Sequence, residues 1–363
     1  MKRKRMLFGS LTAILVFAML EIFIRILFNN VPLWDRLPGQ SEYHNKMDWL
    51  ARHRNGQMIF YSYDDHHPRR GWTLRPGVRD VPLQWDERLN ANSRGLRGTR
   101  EIAYEKVANS KRMIVLGDSF VFGDEVSDSE TTPAYLESVL PGWEVLNMGI
   151  HGYGHDQMLL YFEEEGVNYR PDVVALVFNN VDIDRNMLAF RDYLKPKFVL
   201  AENGLTLTNV PIPPPEETLR RYRIGPRLFD LARILADAYI WRPMSPTASA
   251  FNKNMLVTTS AIMDKLVQDI RNAGARPLWI FIPVPHELED FDGRLLLDDM
   301  YFLDYCVTRG IPYVSHMPYF VEHMGSVLTP ENKGDTHWLA PVNQTVAVRT
   351  VREVSRRYPG LLN

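Results

Sequence analysis

Ser119 lies in the block Gly117-Asp118-Ser119-Phe120, directly after the short apolar run Met113–Leu116. A serine hydroxyl at a strand-to-helix turn is a candidate nucleophile, provided that a base takes its proton. The small Gly117 before the serine permits a tight bend, and the following helix start offers N–H groups and a field that favours an anion. Far along the chain, Asp335-Thr336-His337-Trp338 precedes the last helical pattern. A neutral imidazole can accept the serine proton, and a nearby carboxylate can fix its tautomer and stabilise the imidazolium. Between these blocks, Asn147-Met148-Gly149-Ile150-His151-Gly152 and Asn179-Asn180 each end a further apolar run. A glycine N–H can approach a ligand with no Cβ in the way. An amide side chain can donate into the same crevice. One such donor on a developing oxyanion is worth roughly 3 kcal/mol. The chemistry that fits is acyl transfer through a serine. Taken singly, Ser119 also reads as a helix cap, Gly152 as a turn glycine, the asparagines as strand caps and His337 as a structural histidine.

The elements that must position these groups alternate. Apolar strands are expected at 113–116, 143–147, 172–178, 277–282 and near 312–314, with helices at 133–140, 157–164, about 255–273, 298–308 and 341–358. Strand followed by helix, repeated, argues for an α/β sandwich with a mainly parallel sheet, whose reactive groups gather beyond the carboxyl ends of the strands. An insert at 190–254 interrupts the rhythm with Pro211-Ile212-Pro213-Pro214-Pro215 and a helical stretch from Leu219 to Trp241. Residues 29–110 are polar, aromatic and turn-rich, an irregular and β lead-in expected to pack on the main domain at 111–363.

The chain of 363 residues balances 42 basic against 44 acidic side chains, so a basic nucleic-acid binder is not indicated. Cys306 is the single cysteine, which rules out an intrachain disulfide and cysteine-rich zinc sites. Residues 1–5 are basic, and the apolar run 6–28 reaches ~34 Å as a helix, enough to cross a bilayer. Glu21 and Arg25 within it share a helix face and can pair. No small-residue cleavage site follows. The expected arrangement is an uncleaved signal anchor, single pass, with the basic end in the cytoplasm and the catalytic body periplasmic or extracellular. A cleaved signal peptide is the alternative.

With these residues in place, the sequence resembles the SGNH, or GDSL-type, hydrolases, and their membrane-anchored members in particular. The block GDSF at 117–120 matches the family's first motif, Gly152 the second through its spacing from Asn147, Asn180 the third, and Asp335 with His337 the fifth. The resemblance covers about residues 111–358. It implies a flavodoxin-like three-layer sandwich, Ser119 as nucleophile, His337 as base and Asp335 as orienting acid. The Ser119 N–H, the Gly152 N–H and the Asn180 side chain are implied as the oxyanion hole, with no metal or organic cofactor. Two features depart from the pattern. Asn180 is followed by Val181 where the family has aspartate, which leaves Asn179 as the other candidate. Only Thr336 separates Asp335 from His337 where two residues are usual, which leaves Glu331 as a fallback orienter.

The expected activity is ester hydrolysis, with a small acyl group such as acetyl on a cell-envelope or extracellular glycan as the preferred substrate. An O-acyltransferase using the same triad and a non-catalytic glycan-binding protein with a decayed site are the alternatives. Asp64-Asp65-His66-His67 is expected to be a solvated loop rather than a metal site. His151, His155 and His286 are expected to line the pocket or lie at the surface. Trp72 and Trp338 are core residues or sugar-stacking platforms.

Overall fold

Continuous runs of aliphatic and β-branched residues form strands buried on both faces. The computed structural model describes residues 2–30, 45, 46, 49, 61–84, 86–236, 248–293 and 297–362. Five strands make one parallel sheet: β1 (Lys111–Gly117), β2 (Trp143–Gly149), β3 (Val173–Phe178), β4 (Arg276–Phe281) and β5 (Tyr313–Ser315). Their order is β5-β4-β3-β1-β2, and every pairing is parallel. All six residues of β3 are buried. The helices include α1 (Lys2–Asn30), α2 (Ser119–Phe122), α3 (Thr132–Val139), α4 (His155–Glu164), α5 (Val181–Arg185), α6 (Pro215–Ile224), α7 (Arg227–Ala236), α8 (Ala248–Asn272), α9 (Leu297–Thr308) and α10 (Ala340–Arg357), besides other short helical segments.

The chain leaves β1 to build β2 on one side and then returns to place β3 on the other. Parallel crossovers are right-handed, so connections running in opposite directions lie on opposite faces of the sheet. The result is the flavodoxin-like order, whose topological switch point lies between β1 and β3. α3 and α10 pack together on one flank, and Thr132 Oγ1 donates to Asn343 Oδ1 at 3.3 Å.

Two units divide the chain. The larger comprises Phe60–Met187, Lys195–Ile212 and Asn254–Asn363 and holds the sheet. In its lead-in, Asp64–His67 pairs antiparallel with Gly71–Leu74. The expectation of a solvated loop at 64–67 is therefore corrected: the segment is a strand, and Asp64 is fully buried against His151. The smaller unit comprises Met1–Ile59, Leu188–Leu194 and Pro213–Lys253, so part of the insert belongs with α1. Among the described residues, one helix, with the window Phe8–Leu27, is long and apolar enough to cross a membrane. The expected single helix from Leu219 is broken into α6 and α7 at Gly225-Pro226; residues 237–241 of that stretch lie outside the described residues. Pro226 has no N–H to give and holds Gly225 in an extended conformation, ψ 144°.

Candidate active site

β1 delivers Ser119. Its last residue, Gly117, stands where a Cβ would come within 2.3 Å of the Val121 side chain, so only glycine lets α2 fold back so tightly. Asp118 caps α2: its Oδ1 accepts the Phe120 N–H at 3.0 Å. The same carboxylate takes the Asn179 amide at 3.1 Å and the Arg185 guanidinium at 2.7 Å. Arg185 also holds Asp182, whose carboxyl is pushed well up by burial and by the neighbouring Asp118 charge. Gly123, at φ +91°, closes the single turn by donating to the Ser119 carbonyl at 2.7 Å. Ser119 thus begins a one-turn helix whose entry and exit are both pinned.

His337 arrives on a tight turn. Lys333 bridges Trp338, and the Gly334 N–H donates to the His337 carbonyl at 2.9 Å. Trp338 anchors the turn, fully buried and donating through Nε1 to the Pro283 carbonyl at 2.7 Å. Ser119 Oγ lies 2.7 Å from His337 Nε2. His337 Nδ1 lies 2.8 Å from Glu125 Oε1 and 2.8 Å from Thr336 Oγ1. With the proton on Nδ1 directed at the carboxylate, Nε2 is free to accept from the serine.

The expectation that Asp335 orients the imidazole does not match this geometry. Asp335 occupies the outer tip of the turn, and its carboxylate accepts from Gln84. What the tip turns inward is its N–H groups. Asp335 N–H donates to Glu125 Oε2 at 2.7 Å and Thr336 N–H to Oε1 at 3.0 Å, with the Thr336 hydroxyl at 2.9 Å. Glu331, the fallback, is exposed and has no contact with His337 among the described residues. The carboxylate on the imidazole is Glu125, six positions after Ser119.

Burial alone favours the neutral ring of His337, but the hydrogen bond it donates to Glu125 and the charges of Asp124, Glu125 and Asp118 outweigh it and raise its pKa above 6.5. Burial likewise opposes ionisation of Glu125, but the bonds from His337 and Thr336 hold its carboxyl below the ordinary 4.5. Both shifts have the sign of a mutually stabilised pair.

β2 delivers the glycine loop. Gly149 lies beside Gly117 across the strands, and a Cβ there would meet Phe122 N at 2.3 Å. Asn147 ties β2 to α2, donating to the Val121 carbonyl at 2.8 Å. Beyond it, Gly152 adopts φ +71°, a conformation few other residues take. The loop is held from the lead-in. Trp72 Nε1 donates to the His151 carbonyl at 3.0 Å, Tyr153 OH donates to the Trp72 carbonyl, and Asp64 lies 2.8 Å from His151 Nε2. Neither the Ser119 N–H nor the Gly152 N–H has an acceptor among the described residues.

β3 delivers the asparagines. Asn179 is fully buried and committed to Asp118, whereas Asn180 retains slight exposure and donates to Glu287 Oε1 at 2.9 Å. His155 is buried beside Asn186 at 3.1 Å, and burial pushes its imidazole down to about 3. His151 is also buried and His286 exposed, so neither His151 nor His155 is a surface residue. Trp72 and Trp338 are both core residues, which removes them as sugar platforms. No group of three or more metal-ligating side chains occurs among the described residues.

No family model matches the sequence, and no curated protein matches it. Among solved structures, a GDSL-like lipase from Bacteroides thetaiotaomicron VPI-5482 is similar at 13% identity and TM-score 0.40, over 70% of this chain and 92% of that one. An acetylxylan esterase from Geobacillus stearothermophilus is similar at 14% identity and TM-score 0.40, over 69% of this chain and 96% of that one.

Proposed function

We propose that this chain is an SGNH-type serine ester hydrolase, held at a membrane by α1 with its catalytic unit outside the cytoplasm. The observation that carries the reading is the unbroken relay from Ser119 Oγ to His337 Nε2 at 2.7 Å and from Nδ1 to Glu125 at 2.8 Å. A nucleophile, a base and an orienting carboxylate in that geometry support acyl transfer. A decayed binding site has no need of it.

Ser119 Oγ attacks the ester carbonyl while its proton passes to His337 Nε2. Glu125 stabilises the imidazolium that forms. The oxyanion takes hydrogen bonds from the Ser119 N–H, the Gly152 N–H and the Asn180 amide. Collapse breaks the bond to the alcohol, which leaves with the proton from Nε2. Water then gives a proton to His337, attacks the acyl-serine, and releases the acid and the free serine. Asp335 has only its N–H in this scheme, as a clamp on Glu125.

The substrate class follows from the motif resemblance and the basic, apolar N-terminus: a small acyl group, acetyl first, on a cell-envelope glycan. The test is hydrolysis of an aryl acetate by the intact chain and by Ser119→Ala. Loss of turnover by about five decades or more is expected, and wild-type turnover by Ser119→Ala would reject the nucleophile. Supplying the glycan with an acyl donor and comparing acetate released with acetate transferred separates hydrolysis from O-acyl transfer.

A further inference from the structure

Two charges inside the apolar Phe8–Leu27 window of α1 need a reason. Glu21 and Arg25 of α1 pair at 2.6 Å, and both also reach the insert. The two Glu21 oxygens accept the first N–H groups of α7, Arg227 at 2.8 Å and Leu228 at 3.0 Å. Arg25 donates to the carbonyl of Gly225, just after α6, at 2.8 Å. A carboxylate at a helix start and a guanidinium on the carbonyl that follows a helix end each match the local dipole. The pair therefore docks the α6–α7 break onto α1. Beside it, the Phe17 and Phe229 rings lie 6.0 Å apart.

α7 is inside out for a helix facing water. Arg227 and Asp230 are buried and pair at 3.1 Å, and Lys46 adds a contact to Asp230 at 3.4 Å. Phe229, Ala232 and Leu235 are exposed, Phe229 by 57%. Spaced by three, they share one face. A helix on an aqueous surface shows the opposite polarity. α1 has the same outward apolar surface, including Ile14, Met19, Ile22 and Ile26. The two surfaces meet at the Phe17–Phe229 contact.

We propose that α7 is a second membrane-contacting element, with its Phe229–Ala232–Leu235 face seated among lipid chains beside the C-terminal half of α1. Its occupant is lipid because the face continues the surface of a helix that is itself membrane-length. The depth agrees. Glu21, which caps α7, is six residues from the end of the Phe8–Leu27 window. That is roughly 9 Å along the axis, and Phe17 beside Phe229 lies ten residues, roughly 15 Å, from the same end, so α7 starts at interfacial depth and its apolar face reaches the lipid chains. The inference rests on the membrane-anchor part of the proposed function and is independent of the ester chemistry.

The test uses the full chain in phosphatidylcholine–phosphatidylglycerol vesicles. A polarity-sensitive thiol label is placed by Phe229→Cys or Leu235→Cys, with Ile14→Cys and the exposed Glu322→Cys as lipid and aqueous references; Cys306 is buried. Doxyl-lipid quenching at 229 and 235 at least half that at 14, with iodide quenching several-fold below that at 322, is the expected result. Should Phe229→Cys fail to fold, position 235 gives the same reading alone. The proposal is overturned if 229 and 235 behave like 322 while 14 reads as lipid. Shielding from both quenchers with cross-linking between copies also overturns it, because a second chain then covers the face. If 14 itself behaves like 322, the anchor reading fails and takes this proposal with it, while aryl acetate turnover still reports on the triad.

Discussion

Glu125→Gln replaces a charged acceptor with an amide of the same shape. In the native turn, Oε1 faces three donors, from His337 and from the Thr336 N–H and hydroxyl, and Oε2 faces one, the Asp335 N–H. The glutamine therefore keeps its carbonyl at the Oε1 position, since the flipped amide would set a donor against three donors. The Nδ1 tautomer survives, and what is lost is the charge opposite the imidazolium, together with the acceptor of the Asp335 N–H. For unit charges about 4–5 Å apart at an effective dielectric of 20, that is roughly 3–4 kcal/mol. At 1.36 kcal/mol per decade the expected fall in kcat/KM is about 10²–10³-fold. Asp335→Asn leaves the inward N–H untouched and alters only a carboxylate turned towards Gln84, so its effect should stay within about 3-fold. The assay is aryl acetate hydrolysis by both variants, with thermal unfolding to confirm that each is folded. A fall of two or more decades for Asp335→Asn with little change for Glu125→Gln would refute the assignment of the carboxylate.

Three further outcomes follow from the same geometry. The base must be neutral to accept the serine proton, and His337 is raised above 6.5, so the acid limb of kcat/KM should lie above pH 6.5. Glu125→Gln removes the strongest raising contact and leaves burial, which should move that limb to lower pH; an unmoved limb counts against the pairing. Asn180→Ala should lower kcat by about 10²-fold with little change in KM, as expected for one oxyanion donor, and a fall under 3-fold would exclude it from the hole. Gly149→Ala sets a Cβ 2.3 Å from Phe122 N and 2.7 Å from the Val121 carbonyl carbon. It should lower stability by about 3 kcal/mol, a Tm drop of roughly 6 °C or more by thermal unfolding; a native Tm would show that α2 yields freely.

The parallel sheet was legible because its strands are apolar on both faces, and β1 with β3 could be placed from their aliphatic runs alone. Ser119 was legible because a strand end fixes where a turn must be. Asp335 misled because spacing does not say which way the tip of a tight turn faces. Its side chain points out and its N–H points in. Glu125 was hidden since its partner lies 212 positions away, and the clue available was Gly123, which stops α2 and returns the chain towards the serine. The polarity of Asp64 suggested solvent, but burial is set by His151, 87 positions later. Glu21 and Arg25 were visible as a pair, whereas the helix break they serve at Gly225 is 200 positions on.

Covalent capture of the nucleophile tests the central claim most directly. The folded chain is treated with a fluorophosphonate, and its peptides are mapped by mass spectrometry. A single adduct on the peptide containing Ser119, absent from Ser119→Ala and slowed in Glu125→Gln, is the result expected of the relay. An unmodified Ser119 in folded, reagent-saturated protein, or an adduct that persists in Ser119→Ala, would contradict it.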